Sequence, residues 1–303
     1  MSVSDWLLLV ALSTMWGASF LFVRIAIVEI PPLTLAWLRV AIAAAILFVL
    51  VRLLGDRTPF RRLWLAFAVM GLFNNAIPFS LFAWAQMHIP SGLASILNAT
   101  TPLFTVLIAH FATVDDKLTP ARAVGLLAGF AGVVIMIGPD MLLEIGSHVA
   151  AQLACLLAAL SYGIAGSYGR RFRGEKPLVV ATGQLLGSSI LLAPVAFLTD
   201  QPWLLQAPSP KAIAAIVAMA ALSTALGYVI FFRILDRAGA TNVMLGNFLI
   251  PLSAILLGAL FLDERMEPRH FAGMAAIALG LAAIDGRPWQ YLTNAMGRAP
   301  AGP

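Results

Sequence analysis

Residues 98–125, NATTPLFTVLIAHFATVDDKLTPARAVG, return in altered form at residues 247–273, NFLIPLSAILLGALFLDERMEPRHFAG. Each stretch opens with an asparagine four residues before a proline, Asn98 with Pro102 and Asn247 with Pro251. Each continues as an apolar run and ends in a short charged connection closed by proline. These connections are Asp115-Asp116-Lys117-Leu118-Thr119-Pro120 and Asp263-Glu264-Arg265-Met266-Glu267-Pro268. Gly125 and Gly138 then match Gly273 and Gly286. Upstream, Trp16-Gly17 with Arg24 answers to Tyr162-Gly163 with Arg170, each arginine seven residues after its glycine. The offset is 146 at the start and 148–149 later, so one half of the chain echoes the other in order.

The apolar runs inside this repeat are typical of the whole chain. Of 303 residues, 61% are hydrophobic and 11% charged, with a mean hydropathy of +0.92. A soluble domain needs about 25% charged residues, so an ordinary globule is excluded for want of polar surface. Disorder is excluded by the abundance of apolar residues. What remains is an all-α polytopic membrane protein. Ten apolar stretches are found, at about 6–28, 33–54, 62–86, 92–113, 120–138, 149–170, 178–198, 211–235, 241–262 and 268–285. Each can cross a hydrocarbon core of about 30 Å as a helix, the conformation that satisfies its own backbone in lipid. Little chain is left for a soluble catalytic domain.

With the N-terminus in the cytoplasm, fourteen of the nineteen basic residues fall inside, including Arg52, Arg61, Arg62, Arg170, Arg171, Arg173 and Lys176. The positive-inside rule therefore predicts both termini cytoplasmic. It also accounts for the basic balance without nucleic acid. Residues 1–140 form the first five-helix repeat, 141–287 the second, and 288–303 a cytoplasmic tail. Five spans per half force the halves into opposite orientations. Inverted repeats around a central cavity are the architecture of alternating-access transporters.

Trp16-Gly17 through Arg24, Leu38-Arg39, Asn98 through Pro102, and Asp263-Glu264 followed by Gly273 resemble the drug/metabolite transporter superfamily, specifically its EamA family. The resemblance covers about residues 6–286. It implies efflux across a bacterial inner membrane by two five-helix repeats. It suggests the subgroup of amino-acid and metabolite exporters, with the YddG-like aromatic amino-acid exporters as one form. The smaller multidrug relatives are known for a membrane-embedded glutamate in the first helix, and the first span here has none.

Asn74 with Pro78 repeats the device of Asn98 with Pro102 and Asn247 with Pro251. A proline removes the hydrogen bond to the carbonyl four residues earlier, and in all three that carbonyl belongs to the asparagine. Each site therefore offers an amide and a freed acceptor at mid-membrane. It is either a kink bridged to a neighbouring helix or a cavity lining. Trp16, Phe79, Tyr162 and Tyr228 lie at similar depth. They are either ordinary packing or apolar walls with polar tips for a small organic solute. Trp16, Asn74, Phe79, Asn98, Tyr162, Tyr228 and Asn247 are thus the candidate substrate-binding residues, with Pro78, Pro102 and Pro251 as hinges. No Asp, Glu, Lys or Arg is expected near the centre of any span. Arg24 and Arg39 sit toward the outer ends of spans 1 and 2. They are read as outer-gate candidates or a substrate-carboxylate contact, against headgroup snorkelling or an ion pair holding helix ends. Gln184 matches Arg39 in the second half. Gly125 with Gly129 and Gly183 with Gly187 mark close helix contacts, inside the bundle or between protomers.

The predicted function is secondary export of small neutral or zwitterionic metabolites, amino acids foremost, by a monomer in the lipid bilayer. Nucleosides, drugs or sugar conjugates are alternative cargoes on the same fold. A membrane-embedded acyltransferase or a passive channel is a further alternative. No cofactor or metal is expected, and His88, His110, His148 and His270 lack metal-ligand spacing.

Overall fold

Prolines set where several helices begin. Pro32, Pro177 and Pro210 each lie in a first turn, where the missing N–H would have no intrahelical partner. Ser209 adds a side-chain cap, accepting from the Ala212 N–H at 3.2 Å. The computed structural model describes residues 3–56, 60–112, 120–137, 147–238 and 246–285. Its first-half elements are α1 (Val3–Ala26), α2 (Pro32–Leu53), α3 (Phe60–Gly71), α4 (Ile77–Ala85), α5 (Ser91–Asn98), α6 (Thr101–Ala112) and α7 (Pro120–Ile137). Those of the second half are α8 (Ser147–Tyr168), α9 (Pro177–Asp200), α10 (Pro210–Ala218), α11 (Gly227–Ala238), α12 (Gly246–Leu262) and α13 (Pro268–Asp285). A π-helical turn, Leu72–Ala76, joins α3 to α4, and a longer one, Met219–Leu226, joins α10 to α11.

No strand occurs among the described residues, and helix is found in each of the ten apolar stretches. Among the described residues, seven continuous or bent helices are long and apolar enough to cross a membrane, from Val3–Ala26 to Pro210–Arg237. Ala123–Ile135 and Leu249–Leu262 are shorter apolar helices. Leu53, Leu127, Leu198 and Leu260 are exposed by 72% or more, among many large apolar side chains on the outer surface, as helices that face lipid require. The connection around residue 140 and the segment 288–303 lie outside the described residues.

Because lipid is as apolar as leucine, burial alone does little to hold such helices together; close packing must. Small residues provide it. Gly280 lies against the backbone of Gly125 and Gly129, and Gly187 against that of Phe67. The Gly125–Gly129 and Gly183–Gly187 pairs thus serve contacts inside the bundle, α7 on α13 and α9 on α3. The main pairings run between halves: α1 with α12, α2 with α9, α3 with α9, α8 with α4 and α6, and α7 with α13. Exchanging each first-half span for its second-half counterpart turns these pairings into pairings that the structure also makes. For example, α1–α12 becomes α8 with α5 and α6, and α3–α9 becomes α2 with the Met219–Leu226 turn.

The three Asn–Pro sites differ in structure. At Pro78 the chain makes a π turn, in which the Ile77 N–H reaches back five residues to Leu72 O. At Pro102 the helix breaks between α5 and α6, across Ala99 and Thr100. At Pro251 α12 runs on unbroken. The expectation of one shared device is therefore corrected: proline only removes a bond, and neighbouring groups decide how the backbone repairs the gap. The second π stretch contains no proline. The Thr224 hydroxyl donates to Met219 O at 3.1 Å, and the Gly227 N–H bonds to Leu222 O, both five residues back.

Candidate functional site

A cavity of about 590 Å³ lies between the halves. Trp16, Asn74, Phe79, Asn98, Tyr162, Tyr228 and Asn247 all line it, so residues from six spans meet in one place. The lining runs from Val23 and Gln86 at one end to Phe172, Glu175 and Leu235 at the other.

The Gln86 end is sealed. Val23, Ile27, Ile30, Leu35, Ala83, Ile216 and Met219 form a buried aliphatic cluster drawn from both halves. Polar clamps close over it. The Glu29 carboxylate accepts from the Ser209 N–H and hydroxyl, each at 2.6 Å, at the start of α10. The Ser209 hydroxyl, then the Ser209 N–H, holds Glu29 below its ordinary carboxylate value. Asp200 accepts from the Thr34 N–H at 2.7 Å and its hydroxyl at 2.9 Å. Glu264 accepts from the Ser91 N–H at 2.9 Å and its hydroxyl at 2.7 Å, at the start of α5. Arg24 donates to Gln86 O and lies 4.0 Å from Glu264. It belongs to this sealed end and is absent from the cavity lining. The Gln86 side chain reaches the cavity fully buried, with neither amide atom hydrogen-bonded. At the opposite end Glu175 pairs with Arg62, and Lys176 with Asp56.

Arg39 departs from expectation. Its guanidinium lies over Phe79, 3.7 Å from the ring centroid, and its Nε donates to Thr224 Oγ1 at 3.0 Å. Sequence position places only the backbone toward the end of α2. The long stem carries the charge inward, onto a ring expected at mid-membrane. Both the outer-gate assignment of Arg39 and the expectation of no central charge are corrected. Arg39 and Glu175 are the charged residues of the lining, and Glu175 is at the far mouth.

The asparagines divide into two kinds. The Asn74 amide donates to Gln184 Oε1 at 3.0 Å and to the Tyr228 hydroxyl at 3.1 Å. Tyr228 in turn donates to Asn75 Oδ1 at 3.1 Å. Asn74 is thus spent largely on holding α9 and α11 to the π turn. The carbonyl that Pro102 frees on Asn98 already accepts from the Thr101 hydroxyl at 2.7 Å, within its own helix break. Asn98 and Asn247 keep their side chains toward the cavity. Phe20, Phe82, Phe231 and Phe232 extend the aromatic wall; Phe82 is stacked on Tyr162 at 6.3 Å and Phe231 packs on Trp16 at 5.7 Å. Only their place on the cavity side of α1, α4 and α11 marks these phenylalanines, and that depends on helix rotation. Pro78, Pro102 and Pro251 do not line the cavity. Among the described residues no His, Cys, Asp and Glu cluster could hold a metal.

Comparison with known proteins agrees with this architecture. Residues 5–138 and 149–284 each match the EamA-like transporter family. The chain is 24% identical to the Uncharacterized transporter YoaV of Bacillus subtilis, over 90% of this chain and 94% of that protein. It is 27% identical to a Probable amino-acid metabolite efflux pump of Escherichia coli K12, over 93% and 94%. It is 24% identical to the Uncharacterized inner membrane transporter YedA of the same strain, over 91% and 89%. A chain of known crystal structure superposes with a TM-score of 0.64 at 22% identity, covering 94% of this chain and 98% of its own length, a likeness of fold. With two family matches that together span nearly the whole chain, this multi-pass membrane protein belongs to the EamA-like transporter family.

Proposed function

We propose that the chain is a secondary transporter that exports small neutral or zwitterionic metabolites, amino acids foremost, across the bacterial inner membrane by alternating access. The observation that carries this reading is a central cavity sealed at the Glu29–Ser209 end and lined toward Glu175 at the other. A cavity closed toward the Glu29–Ser209 end suits a gated carrier better than a passive pore. With the basic loops inside, the Glu175 end of the cavity lies on the cytoplasmic side, from which an exporter loads. The helix pairings that exchange between halves support two five-helix repeats, residues 1–140 and 141–287, in opposite orientations, with ten membrane spans in all.

The halves interlock through α1–α12, α2–α9 and α7–α13, so rocking them as blocks would shear every main contact. Bending at the two π turns and at the Ala99–Thr100 break leaves those contacts in place. The amino-acid class rests on the cavity's aromatic wall and free amides. A relative named as an amino-acid metabolite efflux pump adds to it.

The test is uptake into liposomes by the purified protein. A labelled panel would include aromatic, aliphatic, basic and acidic amino acids, a nucleoside and a lipophilic cation, each with and without an imposed proton gradient. Saturable amino-acid uptake is expected. Nucleoside or cation uptake without amino-acid uptake would overturn the substrate class.

A further inference from the structure

We propose that Arg39 is the carboxylate-recognition residue of the central cavity. The transported solute would place a carboxylate on this guanidinium and an apolar or aromatic group against the wall of Trp16, Phe82 and Tyr162. This assignment rests on the reading of the cavity as the solute site.

Four observations converge on it. First, Arg39 has five N–H donors and the structure gives it one acceptor, Thr224 Oγ1. The remaining fork matches a carboxylate bidentately. Second, Phe79 covers one face of the guanidinium at 3.7 Å, which fixes its plane and leaves its edge for a ligand. Third, no carboxylate pairs with Arg39 among the described residues. The lining acid, Glu175, is already paired with Arg62. A cation held inside a membrane bundle calls for a partner, and a bound carboxylate provides one.

The fourth observation separates function from packing. Gln184 is the second-half counterpart of Arg39 and lines the same cavity. Arg39 bonds Thr224 in the π turn of α10–α11, and Gln184 bonds Asn74 in the π turn of α3–α4. The architecture makes the same helix-to-π-turn bridge with a neutral amide. The charge at position 39 is therefore not what the bridge requires. A lone positive charge in the cavity also repels lipophilic amines. One guanidinium matches a monocarboxylate better than a doubly charged diphosphate.

The test compares phenylalanine with three probes that each change one of its groups: 3-phenylpropanoate (no ammonium), phenylalaninamide (amide for carboxylate) and phenethylamine (no carboxylate). Binding is followed by tryptophan fluorescence of the full chain in nanodiscs and transport by counterflow in liposomes, for wild type, Arg39→Gln and Arg39→Lys. The two acids are expected to bind wild type and the two carboxylate-free probes are not. Arg39→Gln should weaken the acids about ten- to a hundredfold, the weight of a hydrogen bond to a charged group, and Arg39→Lys should restore part of that. Equal binding of phenylalanine and phenylalaninamide, or unchanged acid affinity in a folded Arg39→Gln, would overturn the assignment while leaving amino-acid transport standing. Failure of wild type to bind or move any of the four would overturn the amino-acid reading and this assignment with it. Should Arg39→Gln not fold, the acid-against-amide comparison in wild type decides alone.

Discussion

The Nε of Arg39 donates to Thr224 Oγ1 at 3.0 Å, and that same hydroxyl donates onward to Met219 O. A residue of α2 is thereby tied to the backbone of a π turn in the other half. The bond links a guanidinium that lines the cavity to the π turn between α10 and α11. A solute that neutralises Arg39 would alter the hold on that turn.

Asn74 and Asn98 are expected to behave differently on substitution. Asn74→Ala removes both donors of the Gln184–Tyr228 network and should destabilise the protein by about 1–3 kcal/mol. Asn98→Ala should leave thermal stability unchanged and raise KM. Thermal melts in detergent beside transport kinetics check both. Equal stability loss in the two variants would make Asn98 structural.

Gly17 allows α1 to meet α12. A Cβ there would lie 2.0 Å from Ser253 Oγ, 2.9 Å from Ile250 O and 3.0 Å from Ala254 N. Gly17→Ala should destabilise by about 1–3 kcal/mol, the usual range for overpacking. Gly166→Ala, whose Cβ would meet only Thr105 Cγ2 at 3.8 Å, is the control. Indistinguishable melting temperatures for the two would refute the close-contact role.

The Glu29 clamp carries a pH signature. Its folded carboxyl lies below the ordinary value of 4.5, chiefly through the Ser209 hydroxyl and then its N–H. The clamp is therefore fully present above that value and is lost as pH falls through the lowered one. Glu29→Gln should melt below wild type at neutral pH, and the gap should close as pH falls below the ordinary carboxylate value and through the lowered one. A gap that persists or widens in acid would contradict the clamp.

Pro102→Ala supplies an N–H where the α5–α6 break has none, and should slow transport while folded protein stays abundant. Pro251→Ala, inside the continuous α12, should slow it less. Fluorescence-detected size exclusion measures abundance beside initial rates. A loss of rate matched by the loss of folded protein would remove the hinge role from Pro102.

Hydropathy, loop charge and the paired motifs determined that the chain is a helical membrane protein built on a duplicated unit. Lipid accepts no unpaired backbone, so apolar length alone dictates helix. The same reading collected the residues of one cavity, because aromatic and amide groups at mid-membrane need an inward-facing surface. Tertiary structure alone decided how those groups are used. Asn74 is committed to Gln184 and Tyr228, and the Asn98 carbonyl is capped by Thr101. The Met219–Leu226 π turn has no proline to announce it. Arg39 shows the reason most clearly. Sequence specifies the depth of a Cα, whereas the position of a charge on a long flexible stem depends on which ring and which hydroxyl the neighbouring helices bring within its reach.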